Sequence, residues 1–210
     1  MIGLYRQLDT PQPRDLIEAV NSLNDKLGKN NVQILHNLAK PREIVVLAGY
    51  KSLADYESQS EEYASAGLPE IARDHGVNLV DQGFMVIEAV NDPNNTLRGT
   101  HDYVVLTGGL VKIGAMPNVI AVASRVIEKI GPEQLSQGIS SMVMRAVSGN
   151  NVNKMAYRLG LPSIEAAEEF ITRSPGSRPE VADDLKEWLS NMTAVSRGGF
   201  KVKRKLGPLD

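Results

Sequence analysis

Cysteine is absent from this 210-residue chain, which removes disulfides, thiolate nucleophiles and cysteine-bound zinc or iron–sulfur centres as sources of stability or activity. Aromatic residues are sparse at 5%, with a single tryptophan and three histidines, so few side chains are available for stacking or for acid–base work at neutral pH. No stretch approaches the roughly 18 apolar residues of a membrane span, and residues 1–6 carry no basic region leading into a hydrophobic one. His-x-x-x-His, Gly-x-Ser-x-Gly and acidic calcium-loop strings are also missing, which leaves zincin, α/β-hydrolase and EF-hand chemistry without the residues it needs. A soluble, cytoplasmic chain with no membrane partner is the expectation.

What the chain does contain is ordinary for a folded protein: 42% hydrophobic and 23% charged residues, with a net charge of −2. The charge is unevenly placed. Residues 51–100 hold three Lys/Arg against nine Asp/Glu, whereas Arg197, Lys201, Lys203, Arg204 and Lys205 cluster near the end.

Periodicity orders the chain. Residues 2–8 read as a strand closed by a Pro-rich turn. Residues 14–27 read as a helix with Leu16, Ile17, Val20, Leu23 and Leu27 on one stripe and Gly28 as its stop. Residues 31–38 and 43–50 form a hairpin, 53–66 and 69–75 are helical, and 78–90 is a closing strand. That is a βαββαβ unit. The pattern then returns as strand 103–113, helix 117–130 ending at Gly131, strands 138–147 and 152–158, helices 163–173 and 179–193, and strand 199–206.

The return is visible residue by residue. LIEAVNSLNDKLG (16–28) lies without a gap over VIAVASRVIEKIG (119–131); Ser52-Leu53 with Glu57 matches Ser163-Ile164 with Glu168; Pro69-Glu70-Ile71-Ala72 matches Pro179-Glu180-Val181-Ala182; and Gly83-Phe84 matches Gly199-Phe200. An internal duplication is expected, with repeats at 1–95 and 96–210. Each unit has helices on one sheet face only, so its other face must be covered, and two sheets can cover each other.

The element order, the Ser-Leu-x-x-Tyr-Glu helix start at residues 52–57 and the duplication resemble the dimeric α+β barrel superfamily, which includes antibiotic-biosynthesis-monooxygenase-like proteins. The resemblance implies an α+β fold of tandem ferredoxin-like βαββαβ repeats forming a single-chain pseudo-dimeric barrel. It also implies a small-molecule enzyme of the cofactor-independent monooxygenase, cyclase or isomerase type, with its pocket in the first repeat and no cofactor. The alternatives of the same fold are a non-catalytic binding or assembly module, acting as a homo-oligomer, and a haem-binding protein.

Tyr5, Arg6, His36 and Tyr50 are the first-repeat polar groups expected to converge as catalytic residues. His36 stands out because it shares a strand face with Val32, Ile34 and Leu38, where an imidazole near neutral pH is a capable acid or base. His75 is the candidate ligand if haem binds.

Nucleic acid is set aside. The stretch from Met155 to Ser163 imitates a helix-turn-helix, but Pro162 falls in the turn, and the repeat makes 152–158 a strand. The basic terminus alternates Phe200, Val202, Arg204 and Leu206 with Lys201, Lys203 and Lys205, the period of a half-solvated strand. The acidic 51–74 stretch is its expected electrostatic complement. Gly108-Gly109 marks a bulge or bend rather than a phosphate loop.

Overall fold

A computed structural model describes residues 2–150, 152–172 and 177–207. In chain order the elements are β1 (Ile2–Asp9), α1 (Pro13–Lys26), β2 (Val32–Asn37), β3 (Glu43–Tyr50), α2 (Leu53–Ser65), α3 (Leu68–Asp74) and β4 (Asn78–Val90). There follow β5 (Tyr103–Val111), α4 (Met116–Ser136), β6 (Ser140–Ala146), β7 (Lys154–Leu161), α5 (Ile164–Thr172), a 3-10 turn (Pro179–Val181), α6 (Ala182–Ser190) and β8 (Met192–Arg204). The expected end of the α5 helix at residue 173 lies outside the described residues.

The eight strands close into one barrel in the order β1-β3-β2-β8-β5-β7-β6-β4, with every adjacent pair antiparallel. Each half contributes the same local order, β4-β1-β3-β2 and β8-β5-β7-β6. Two seams join the halves: β2 with β8, where Leu35 faces Val202, and β4 with β6, where Ile87 faces Met144. Neither four-stranded sheet keeps a free edge.

Strand alternation divides the side chains between two environments. Leu35, Val45, Val104, Phe200 and Val202 point into the lumen, with Tyr5, Met85 and Met144 beyond them and Leu47 and Leu106 touching both groups. The opposite faces carry the helices. In the first half Leu16 and Ile17 of α1 pack on Leu4, Val32, Ile34 and Ile44. In the second, α4 packs Val119, Val122 and Ile127 on Val143 and Met155.

Several boundaries differ from the expectation. α4 does not stop at Gly131 but runs through Pro132 to Ser136. Pro132 removes the N–H that would bond the carbonyl of Glu128, a solvent-exposed residue, so water can replace it. Gly131 leaves room for Asn91, whose Nδ2 donates to the carbonyls of Gly131 (3.2 Å) and Ile139 (2.9 Å). The helix expected over 179–193 is a 3-10 turn followed by α6, and β8 begins already at Met192.

The Gly-Phe match also fails in space. Phe84 packs on the helix side against Tyr56, their ring centroids 4.8 Å apart, whereas Phe200 is a lumen residue. The matched windows are one residue out of phase, and one residue is enough to exchange the two faces of a strand.

Residues 152–158 contribute to β7, as the repeat requires, and the glycine pair coincides with a register shift between Gly108 and Leu110. The basic strand does alternate, but two of its cations pair outside the 51–74 stretch. Arg204 meets Asp25 at 2.8 Å and Lys205 meets Asp102 at 2.7 Å.

The lumen core should be the stability-determining layer. Leu35, fully buried beside the β2–β8 seam, is expected to cost about 2–5 kcal/mol on Leu35→Ala through lost contacts and an unfilled cavity. A lower denaturant midpoint at unchanged m-value in urea titrations would report it.

Candidate functional site

Two cavities lie on opposite sides of the second sheet. The first, of about 420 Å³, is on the helix side. Its floor is Val105, Tyr157 and Leu159, and its walls come from Val126 and Ile130 of α4 and Trp188 of α6. α5 and α6 are short, and the gap they leave over the sheet is the cavity. The corresponding space in the first half is occupied: Tyr50, Tyr56 and Phe84 stack edge to face (5.3 Å at 84°, 4.8 Å at 88°) under α2.

Four buried polar atoms in and beside this helix-side cavity, Gln134 Oε1, Ser141 Oγ, Tyr157 Oη and Trp188 Nε1, lack a hydrogen bond of good geometry, the first two lying close to the Tyr157 hydroxyl. Buried polar groups are normally satisfied, so such a cluster within an apolar chamber is the arrangement a ligand would complete. Burial pushes the Tyr157 phenol up from its usual pKa, partly offset by the nearby Ser141 and Gln134. It therefore stays protonated at neutral pH and acts as a hydrogen-bond donor. Arg197 stands at the cavity wall, donating to Thr107 Oγ1 (3.1 Å) and the Phe170 carbonyl (3.0 Å). Arg178 lies nearby, forked onto Glu133.

The second cavity, of about 560 Å³, opens at one mouth of the barrel and draws its lining from both halves. It contains Arg158 on β7, whose Nη2 donates across the lumen to Gln33 Oε1 at 3.0 Å. His101 sits at its edge, 5% exposed, with its ring Nε2 3.1 Å from the Gly138 carbonyl. Burial, reinforced by the Arg158 charge, lowers the His101 pKa to about 4, so the imidazole is neutral. Gly160 is required beside it: a Cβ there would lie 2.7 Å from His101 Nδ1 and 2.6 Å from Ser140 Oγ.

The four residues expected to converge do not. Tyr5 and Arg6 are consecutive on β1 and so face opposite ways. Tyr5 lies in the lumen, donating to Asp81 Oδ2 at 2.6 Å beneath Lys154, whose Nζ is 4.5 Å from the ring centroid. Arg6 points to the helix side. His36 is held at the β2–β3 turn with Nε2 2.7 Å from the Pro41 carbonyl, away from both cavities. Tyr50 packs in the helix-side core and reaches the rim of the barrel-mouth cavity, its pKa raised by burial. The space that suits a ligand between helices and sheet lies in the second half, not in the first.

Haem does not fit the helix-side chamber. No histidine or methionine is among its lining residues, and the one oxygen ligand, Tyr157, is held in its neutral form by burial, which opposes binding as a phenolate. His75 caps α3 with Nδ1 2.8 Å from the Ile71 carbonyl and lines neither cavity. Among the described residues no group of three or more His, Asp or Glu side chains could hold a metal ion, and no helix is long and apolar enough to cross a membrane.

No known family sequence profile matches the chain, and no curated sequence does. Solved structures do. A candidate monooxygenase from Fusobacterium nucleatum superposes with a TM-score of 0.72 at 11% identity, covering 100% of this chain and 96% of the other. An anthrone oxidase-like protein superposes at 0.64 and 13% identity, over 99% and 94% of the two chains. A haem-degrading enzyme from Listeria monocytogenes reaches 0.52 at 8% identity, over 95% and 98%. These likenesses are of fold: the chain shares its overall architecture with these structures.

His101 gives the molecule a pH dependence with a definite sign. Its folded pKa of about 4 lies below the ordinary 6.5, so in between the unfolded chain binds the extra proton. His101 thus costs no stability above pH 6.5 and progressively destabilises the fold as pH falls toward 4. Thermal melts of the parent and a His101→Gln variant across that interval should show the parent losing more of its melting temperature; parallel curves would contradict the assignment.

Proposed function

We propose that this chain is a small-molecule enzyme of the cofactor-independent monooxygenase, cyclase or isomerase type, acting on a ring-bearing apolar substrate in the helix-side cavity of the second half. The observation that carries the reading is the group of buried polar atoms on Gln134, Tyr157 and Trp188, with Ser141 beside them, in a largely apolar chamber. The size suits a small polycyclic molecule with one or two oxygens.

The residues suggest a division of labour. The Tyr157 hydroxyl and the Trp188 indole N–H are donors for a substrate oxygen, and they strengthen as that oxygen gains negative charge, because the chamber is of low polarity. The Gln134 carbonyl accepts a proton-bearing group. The side chains of Val105, Val126 and Leu159 hold the ring and exclude water.

In the oxygenase version, dioxygen gives one oxygen atom to a ring methylene and leaves with the two methylene hydrogens as water. The substrate supplies the electrons, and no external reductant enters. The likeness to an anthrone oxidase-like fold supports anthrones as first probes. Under the same reading, the repeated strand order of the two halves reflects an internal duplication, and the second copy kept the chamber while aromatic packing filled the first.

Trp188 is the only tryptophan, so its fluorescence reports on this cavity alone. Titration with anthrone and related polycyclic phenols should quench or shift its emission, with oxygen uptake where turnover follows. Tyr157→Phe should lower turnover about a hundredfold while leaving thermal stability little changed, since it deletes a buried hydroxyl that lacks a hydrogen bond of good geometry. His36→Ala should change neither. Absence of any Trp188 response across the series would remove the proposal.

A further inference from the structure

The barrel lumen treats its two ends differently. At one, charge is compensated: Lys154 Nζ meets Asp81 at 2.8 Å, Tyr5 donates to the same carboxylate, and Gln7 and Asn37 share Glu43. At the other stands Arg158, 5% exposed, with a single hydrogen bond to a neutral amide and no ion-pair partner among the described residues. A buried guanidinium without a counterion is costly, and burial lowers the pKa of Arg158 to about 10.

Among the described residues, the carboxylates lining this cavity are engaged elsewhere. Asp92 accepts from the backbone of Thr96 and Leu97, and Asp55 from the backbone of Lys51 and the Gln59 amide. Lys29 is tied to Glu62. Arg98, a second lining cation, donates to the Gly207 carbonyl at 2.6 Å and has no carboxylate partner among the described residues. The cavity around Arg158 is deep, and beyond the guanidinium its wall is apolar and adaptable: Leu47, Met85, Ile87, Met142 and Met144.

We propose that the barrel-mouth cavity is a binding site for a small organic acid, with its carboxylate forked onto Arg158 and its apolar body lying along Met85, Met142 and Met144. A carboxylate is the planar two-oxygen group that matches a guanidinium edge, and the methionine-lined space beyond suits a ring or a short alkyl chain. Gln33 holds the guanidinium in place from across the lumen. The site is separate from the helix-side cavity, lies on the other face of the second sheet, and does not depend on the reading of that cavity.

The test is a thermal-shift and calorimetric comparison of 2-naphthoate and decanoate with 2-naphthalenemethanol, which has the body without the charge, and inorganic phosphate, which has the charge without the body, at matched ionic strength. The two carboxylates should raise the melting temperature of the parent by about 2–4 °C or more, and the alcohol and phosphate should not. Arg158→Met should melt at or above the parent without ligand and lose the carboxylate shift. Arg158→Lys, which keeps the charge but not the fork, should bind at least about tenfold more weakly.

Trp188 emission should stay unchanged on carboxylate addition. No shift with either carboxylate, an undiminished shift in Arg158→Met, a full shift with phosphate alone, or displacement of a Trp188-reported ligand by the carboxylates would each overturn the proposal.

Discussion

Everything in this molecule follows from the closure of eight strands by two seams. A four-stranded sheet with helices on one side has an unprotected apolar face and two open edges, and neither is tolerable in water. Pairing β2 with β8 and β4 with β6 resolves both at once: the bare faces become the walls of a lumen and the edges disappear. Once closed, the barrel gives every strand residue a binary fate, lumen or helix side. The two cavities are two consequences of that partition.

The order of elements was readable because it rests on period and punctuation. Gly28 with its left-handed backbone, the serine caps at Ser52 and Ser163, and the alternation of Phe200, Lys201 and Val202 are local signals with local causes. Phase was harder. The Gly-Phe windows of β4 and β8 are one residue out of phase, so their phenylalanines end on opposite sides, and no period announces register shifts such as those at Gly108 and within β4. α4 passed its glycine because Asn91, distant in sequence, packs into the space a side chain would have taken. That is a tertiary fact.

The candidate site was the least legible part, again for a physical reason. A cavity is a difference between how far helices stand from a sheet and how far their side chains reach, and neither quantity is written in any one segment. Searching for histidines favoured the first half, because histidine is the residue type most associated with catalysis; yet His36 and His75 are turn and cap residues held by backbone carbonyls. The parity of Tyr5 and Arg6 alone rules out their convergence. Tyr157 and Arg158 lie in the segment that imitates a DNA-binding turn and that the repeat makes a strand, but neither stands out by residue type. Strand alternation sends these neighbours into different chambers, the phenol toward the helices and the guanidinium into the lumen.

Arg158 has a further implication. It stands at the same distance ahead of the capping serine Ser163 as Leu47 does ahead of Ser52, and both side chains face the lumen. In a barrel assembled from two identical chains, symmetry would place whatever one sheet offers a second time on the other, so a lumenal arginine would confront its own copy and the pair would repel. A continuous chain escapes that rule. It sets one cation against one leucine and so makes the interior polar in a single direction. Under the carboxylate-binding proposal the single guanidinium sets one ligand per barrel in one orientation, a monovalency that a symmetric assembly of the same architecture could not specify.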